Sequence, residues 1–76
     1  MADASTQAEK VAEAEYWEAF AKVAMPGWRL YGFGRPSRAS FLRGDDAFVA
    51  VEPHMHEIIV GILGDRAPEM PEHWRK

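Results

Sequence analysis

Two changes of hydrophobic period divide this chain, and each falls at a residue that cannot continue the element before it. From Thr6 to Ala24 there is no glycine or proline, alanine, glutamate and lysine dominate, and Pro26-Gly27 then breaks the run. From Trp28 the period becomes two: Trp28, Leu30 and Gly32 alternate with Arg29, Tyr31 and Phe33, as in a strand. At Pro53 the helical period returns in Met55, Ile58, Ile59, Ile62 and Leu63, and it closes at Gly64. The expected fold is therefore α+β: helix, three-stranded antiparallel meander, helix, with both helices on one sheet face. A chain of 76 residues has room for one core, so the whole of it is read as a single domain, with 1–5 and 65–76 irregular.

Composition supports folding and removes several chemistries. Hydrophobic residues make up 47% and charged residues 28%, which is globular rather than disordered. With no cysteine there are no disulfides, thiolate metal sites or thiol nucleophiles. The run Ile58 to Leu63 is far shorter than the ~18–20 apolar residues that span a bilayer, and the start MADASTQAEK lacks the pattern of a secretory signal, so a cytoplasmic location and no membrane partner are expected.

Thr6 and Glu9 have capping-box spacing and are read as the start of the first helix, with Tyr16, Trp17, Phe20, Val23 and Ala24 as its buried stripe. Glu9 and Glu13 lie on the same side as Phe20, one to two turns earlier, and are read as an acidic overhang. A four-residue turn at 34–37 pairs Phe33 with Arg38, Tyr31 with Ser40 and Arg29 with Leu42, leaving Leu30 and Phe41 on the other face. A three-residue turn at 44–46 pairs Phe41 with Val49; a two-residue Gly44-Asp45 turn, the less favoured choice, would instead turn Phe48 inward. After Gly64 the proline-bearing tail shows no periodicity, with Met70 or Trp74 available to pin it.

Charge is distributed unevenly. Residues 26–43 carry Arg29, Arg35, Arg38 and Arg43 with no acid, in a chain whose net charge is -3. The outward face of the first hairpin then presents Arg29, Tyr31, Phe33, Arg35, Arg38 and Leu42, joined by Phe48, which is more exposed apolar surface than a monomer usually carries. Either the tail or a second copy covers this face, or it is a recognition surface, since Tyr, Phe and Arg are favoured at interfaces. The expected function is a small non-enzymatic protein-binding module, in the manner of phage inhibitors of larger nucleic-acid-handling proteins, acting through this face or through the acidic first helix, with self-association included. The alternative is weak single-stranded nucleic-acid binding by the same basic and aromatic hairpin, although so few arginines in an acidic chain give modest affinity. Double-stranded-RNA-binding domains share the element order, but their last helix opens on a lysine cluster where this chain has His54, Met55, His56 and Glu57.

Catalytic signatures are missing from the sequence. His54 and His56 are two apart on a helix and point to opposite sides, so they do not chelate one ion, and His54 with Glu57 is read as a surface pair. Ser37 and Ser40 lack a nucleophile elbow, and Gly32-Phe33-Gly34 lacks the third glycine and the helix of a dinucleotide fingerprint. A core this small also leaves little room for a pocket of ~300 Å³. No enzyme activity, no cofactor and no metal are expected.

Overall fold

The computed structural model describes residues 4–34 and 37–75. Helix α1 (Ala4–Ala24) leads to strands β1 (Arg29–Gly34), β2 (Arg38–Leu42) and β3 (Phe48–Val51), then to helix α2 (Pro53–Leu63). Two single 3₁₀ turns follow, at Gly64–Arg66 and Glu72–Arg75. The strands form one antiparallel sheet in the order β1-β2-β3, and both helices pack on one of its faces. The element order is the one the two period changes predict.

Local chemistry accounts for most boundaries. Thr6 lies inside α1 rather than at its cap, because the alanine-rich segment carries the helix back to Ala4. Its end is set by Gly27, which takes φ 93 while Trp28 N–H bonds to Met25 O at 3.1 Å. Pro53 opens α2, and Gly64 closes it at φ 58 with its N–H on Val60 O.

The core is aromatic. Trp17, Phe20, Phe41 and Val51 are fully buried, and Tyr16, Ala21, Ala39 and Leu63 complete the cluster. Phe41 packs edge-on to Trp17 at 6.2 Å and stacks on Phe20 at 6.4 Å, so the central strand is bound to α1 by three rings. Val23 is the exception to the expected α1 stripe: it is 37% exposed, and Ala21 takes its place inside.

Helix α2 is turned relative to its apolar pattern. His56, Ile59, Val60 and Leu63 face the core, while Met55, Ile58 and Ile62 are 42%, 49% and 73% exposed. The apolar arc of this helix is wider than one contact surface. Its orientation brings His56 Nε2 to 2.6 Å from the hydroxyl of Tyr16, which is buried and needs a polar partner.

Candidate functional site

The pairing of β2 with β3 follows the three-residue turn. Phe41 pairs with Val49 and Leu42 with Phe48. The turn closes with Asp46 at φ 71, and Asp46 N–H bonds to Arg43 O at 3.0 Å. Asp45 takes both polar ends of Arg43, at 2.9 and 2.8 Å, and these hydrogen bonds hold its carboxyl below the usual range.

The first hairpin departs from the expected register. Arg29 pairs with Leu42 and Leu30 with Phe41, but an irregularity between Leu30 and Gly32 inserts Tyr31 as an unpaired residue. Downstream the register moves by one, so that Gly32 pairs with Ser40 and Phe33 with Ala39. Residues directly opposite share a face, so Phe33 pairs with Ala39 and not with Arg38 as expected, and its backbone position turns from the outward face, while its ring stays 36% exposed and outside the core cluster. The alternation rule holds only for an unbulged strand, and nothing in the alternating pattern marks the bulge. Arg35 lies outside the described residues.

The outward face thus consists of Arg29 and Tyr31 from β1, Arg38, Ser40 and Leu42 from β2, and Phe48 and Ala50 from β3. Tyr31 is 69% and Phe48 58% exposed, and their rings meet edge to face at 6.3 Å across Leu42. Two hollows flank this ridge. One, of about 380 Å³, is floored by Gly32, Ser40 and Ala50, with Arg38 and Glu52 among its lining residues. The other, of about 790 Å³, runs between the end of α1 and β1 and is lined by Glu18, Lys22, Trp28, Arg29, Tyr31 and Leu42. That groove is larger than expected from so small a core, because it lies outside the core, between the helix end and the sheet edge. Lys22, Glu18 and Trp28 enter the site only through this packing.

The tail does not cover the face. It folds the other way, and its Trp74 packs on Tyr16 at 5.1 Å, Trp17 at 6.0 Å and His56 at 6.1 Å. Glu13 explains the choice. Its carboxylate, 3% exposed, accepts hydrogen bonds from His73 Nε2 at 2.5 Å and Trp74 Nε1 at 3.1 Å. The acidic overhang read from Glu9 and Glu13 is therefore a seat for the tail. Glu15 and Glu18 remain exposed on α1.

The cations are partly committed. Arg38 pairs with Glu52 at 3.4 Å, and Arg43 pairs with Asp45 while its guanidinium sits 5.1 Å over the Trp28 ring. Charge on the basic island is thus offset by acids from the neighbouring turn and from the end of β3. Among the described residues no three of His, Cys, Asp and Glu are placed to hold a metal ion. No helix among them is long and apolar enough to cross a membrane. His56 faces the core and His73 the seat on α1, so Ser40 on the outward face has neither of them beside it. Comparison with protein-family models, curated proteins and solved structures finds no match to this chain.

Proposed function

We propose that this chain is a non-enzymatic protein-binding module that holds a segment of a larger protein against the outward sheet face and the adjoining groove. The observation that carries this reading is the Tyr31–Phe48 pair, exposed on the side of the sheet that neither helix nor tail covers. Large rings left in water beside small residues such as Ser40 and Ala50 form ridges and hollows that accept side chains. Lys22 and Arg29 at the groove favour a segment carrying a carboxylate, and inhibition of a nucleic-acid-handling protein would act through this surface. The acidic first helix is the weaker candidate, since Glu13 is spent on the tail.

Weak single-stranded nucleic-acid binding is the second reading, and it rests on the same rings for stacking. The pairing of Arg38 with Glu52 and of Arg43 with Asp45 argues against it, because a phosphate contact by either of these two arginines would first have to displace a carboxylate.

The test places a photo-crosslinking benzoylphenylalanine at position 31, with a control at exposed Glu57. A discrete adduct from position 31 in native-host extract, absent from the control and lost on Leu42→Ser, supports the reading. Equal or absent adducts from both positions in the folded protein would sink it. Labelled single-stranded DNA and RNA at low salt decide the second reading: saturable binding abolished by Arg29→Glu would establish it.

A further inference from the structure

The open edge of β3 is a second surface, distinct from the face just described. Arg43 N–H bonds to Ala47 O at 3.0 Å, which fixes the alternation of the ladder. Val49 and Val51, paired with Phe41 and Ala39, turn their backbone groups toward β2. Phe48 and Ala50 turn theirs away, and among the described residues β3 has no strand on that side. The two sheet edges are not equivalent. The β1 edge carries an arginine, a bulge and two glycines, and α1 packs beside it. β3 reads Phe-Val-Ala-Val, with no charge, no proline and no bulge to keep it from pairing, and only its short length of four residues limits what it can pair with.

Apolar surface borders this edge on both sides. Phe48 lies on the outward face. On the other side, α2 sets His56 toward α1 and Val60 toward Met70 and Trp74 of the tail. Met55, Ile58 and Ile62 occupy the flank turned away from both. With α1 beside β1 at one end of the sheet order, and α2 following β3 after a single residue, we infer that this flank lies on the β3 side.

We propose that β3 pairs antiparallel with β3 of a second copy of this chain, joining the two sheets into one of six strands. The sequence of the edge is self-complementary about Val49. With Val49 opposite Val49 of the second copy, Phe48 falls opposite Ala50, twice by symmetry. Both open sets of N–H and C=O groups are then satisfied, and each ring lies beside a methyl group rather than another ring. Above the sheet the two Met55–Ile58–Ile62 rows approach one another. Phe48, Met55, Ile58 and Ile62, 42% to 73% exposed, offer on the order of 400 Å² per copy, below the ~800 Å² of a standard interface, so the dimer is weak and concentration-dependent. The same register brings Asp46 near Glu52 of the second copy. Like charges meet there; Arg38 offsets part of that repulsion, but two chains of net charge -3 still repel, and added salt strengthens the pairing.

Sedimentation velocity over a micromolar-to-millimolar series, at low and high salt, is the test. The expected result is a mass rising from 8.6 kDa toward twice that value, at lower concentration in high salt. Ala50→Pro removes an N–H that the fold itself does not use and should weaken association at least ~10-fold. Ile62→Glu, on the exposed helix face, should do the same, while Val11→Ser, exposed on α1, leaves it unchanged. Hydrogen exchange at the Phe48 and Ala50 amides should slow with concentration. A mass fixed at 8.6 kDa throughout overturns the proposal. So does association that survives Ala50→Pro in the folded protein, or exchange at those two amides that ignores concentration.

Discussion

The Tyr16–His56 hydrogen bond makes stability a function of pH on both sides of neutrality. Burial pushes the Tyr16 hydroxyl from its ordinary value of 10.0 up to about 12, and burial likewise pushes the His56 imidazole below 6.5. In the folded protein both groups are held neutral, the phenol donating to a ring nitrogen that accepts. Above pH 10 the unfolded chain loses the tyrosine proton first, so stability falls as pH rises toward 12. Below pH 6.5 the unfolded chain gains the histidine proton first, so stability falls with pH on that side too. Two pH units at ~1.4 kcal/mol each give an alkaline loss of about 2 to 3 kcal/mol. That is a large part of the ~4–11 kcal/mol expected for a domain of this size. Tyr16→Phe tests the assignment. It should cost about 1–3 kcal/mol at neutral pH, since His56 Nε2 is left buried without its donor, and it should flatten the alkaline limb. Urea unfolding followed by Trp17 and Trp74 fluorescence from pH 5 to about 11.5 reads both effects. An alkaline limb of the same depth in the variant would refute the reasoning.

The tail clasp predicts that Trp74→Ala costs about 2–4 kcal/mol in urea unfolding, because the indole covers Tyr16 and Trp17 and satisfies Glu13. A loss below ~0.5 kcal/mol would mean the tail is not seated there. Gly27→Ala should lower stability by about 1–2 kcal/mol, since φ 93 strains any side chain, and thermal unfolding will show it. Arg38→Ala removes an ion pair whose side chains are both more than half exposed, so its cost should not exceed ~0.5 kcal/mol. Phe48→Lys should leave the unfolding midpoint nearly unchanged, and a loss of about 2 kcal/mol or more would show that this ring is core after all.

The elements were legible because glycine and proline sit at their ends. Pro26-Gly27, Pro53 and Gly64 each stop or start an element through backbone geometry, which needs no knowledge of tertiary contacts. The β2–β3 register was legible only in part, because Gly44-Asp45 suits a two-residue turn as well as the three-residue turn that forms. Three features were not legible, and each depends on contacts distant in sequence. The bulge at Tyr31 moves Phe33 to the other face, and an alternating pattern is the same with or without it. The rotation of α2 is decided by a partner forty residues away, Tyr16, which draws His56 inward in place of Met55. The direction of the tail is decided by Glu13, whose charge reads as solvent-exposed until His73 and Trp74 are seen to cover it.

The residues on the outward face and along the β3 edge bear on function through what the core does not require of them. Two helices and a short tail are enough to cover one side of a three-stranded sheet, and that side holds all the fully buried rings. Nothing in the core depends on Tyr31 or Phe48 being aromatic, on Ile62 being apolar, or on β3 lacking a charge. Threonine or lysine at these positions would cost the fold little and would remove exposed apolar surface. The two surfaces therefore need separate explanations. Tyr31 stands on the bulged strand with its ring against Phe48, and on the proposed reading it serves the outward face; Ile62 stands on the helical side and on that reading serves only the edge. If Tyr31→Ser abolishes capture of a partner while Ile62→Glu abolishes self-association, and neither affects the other's readout, a dimer presents two copies of the binding face on one continuous sheet.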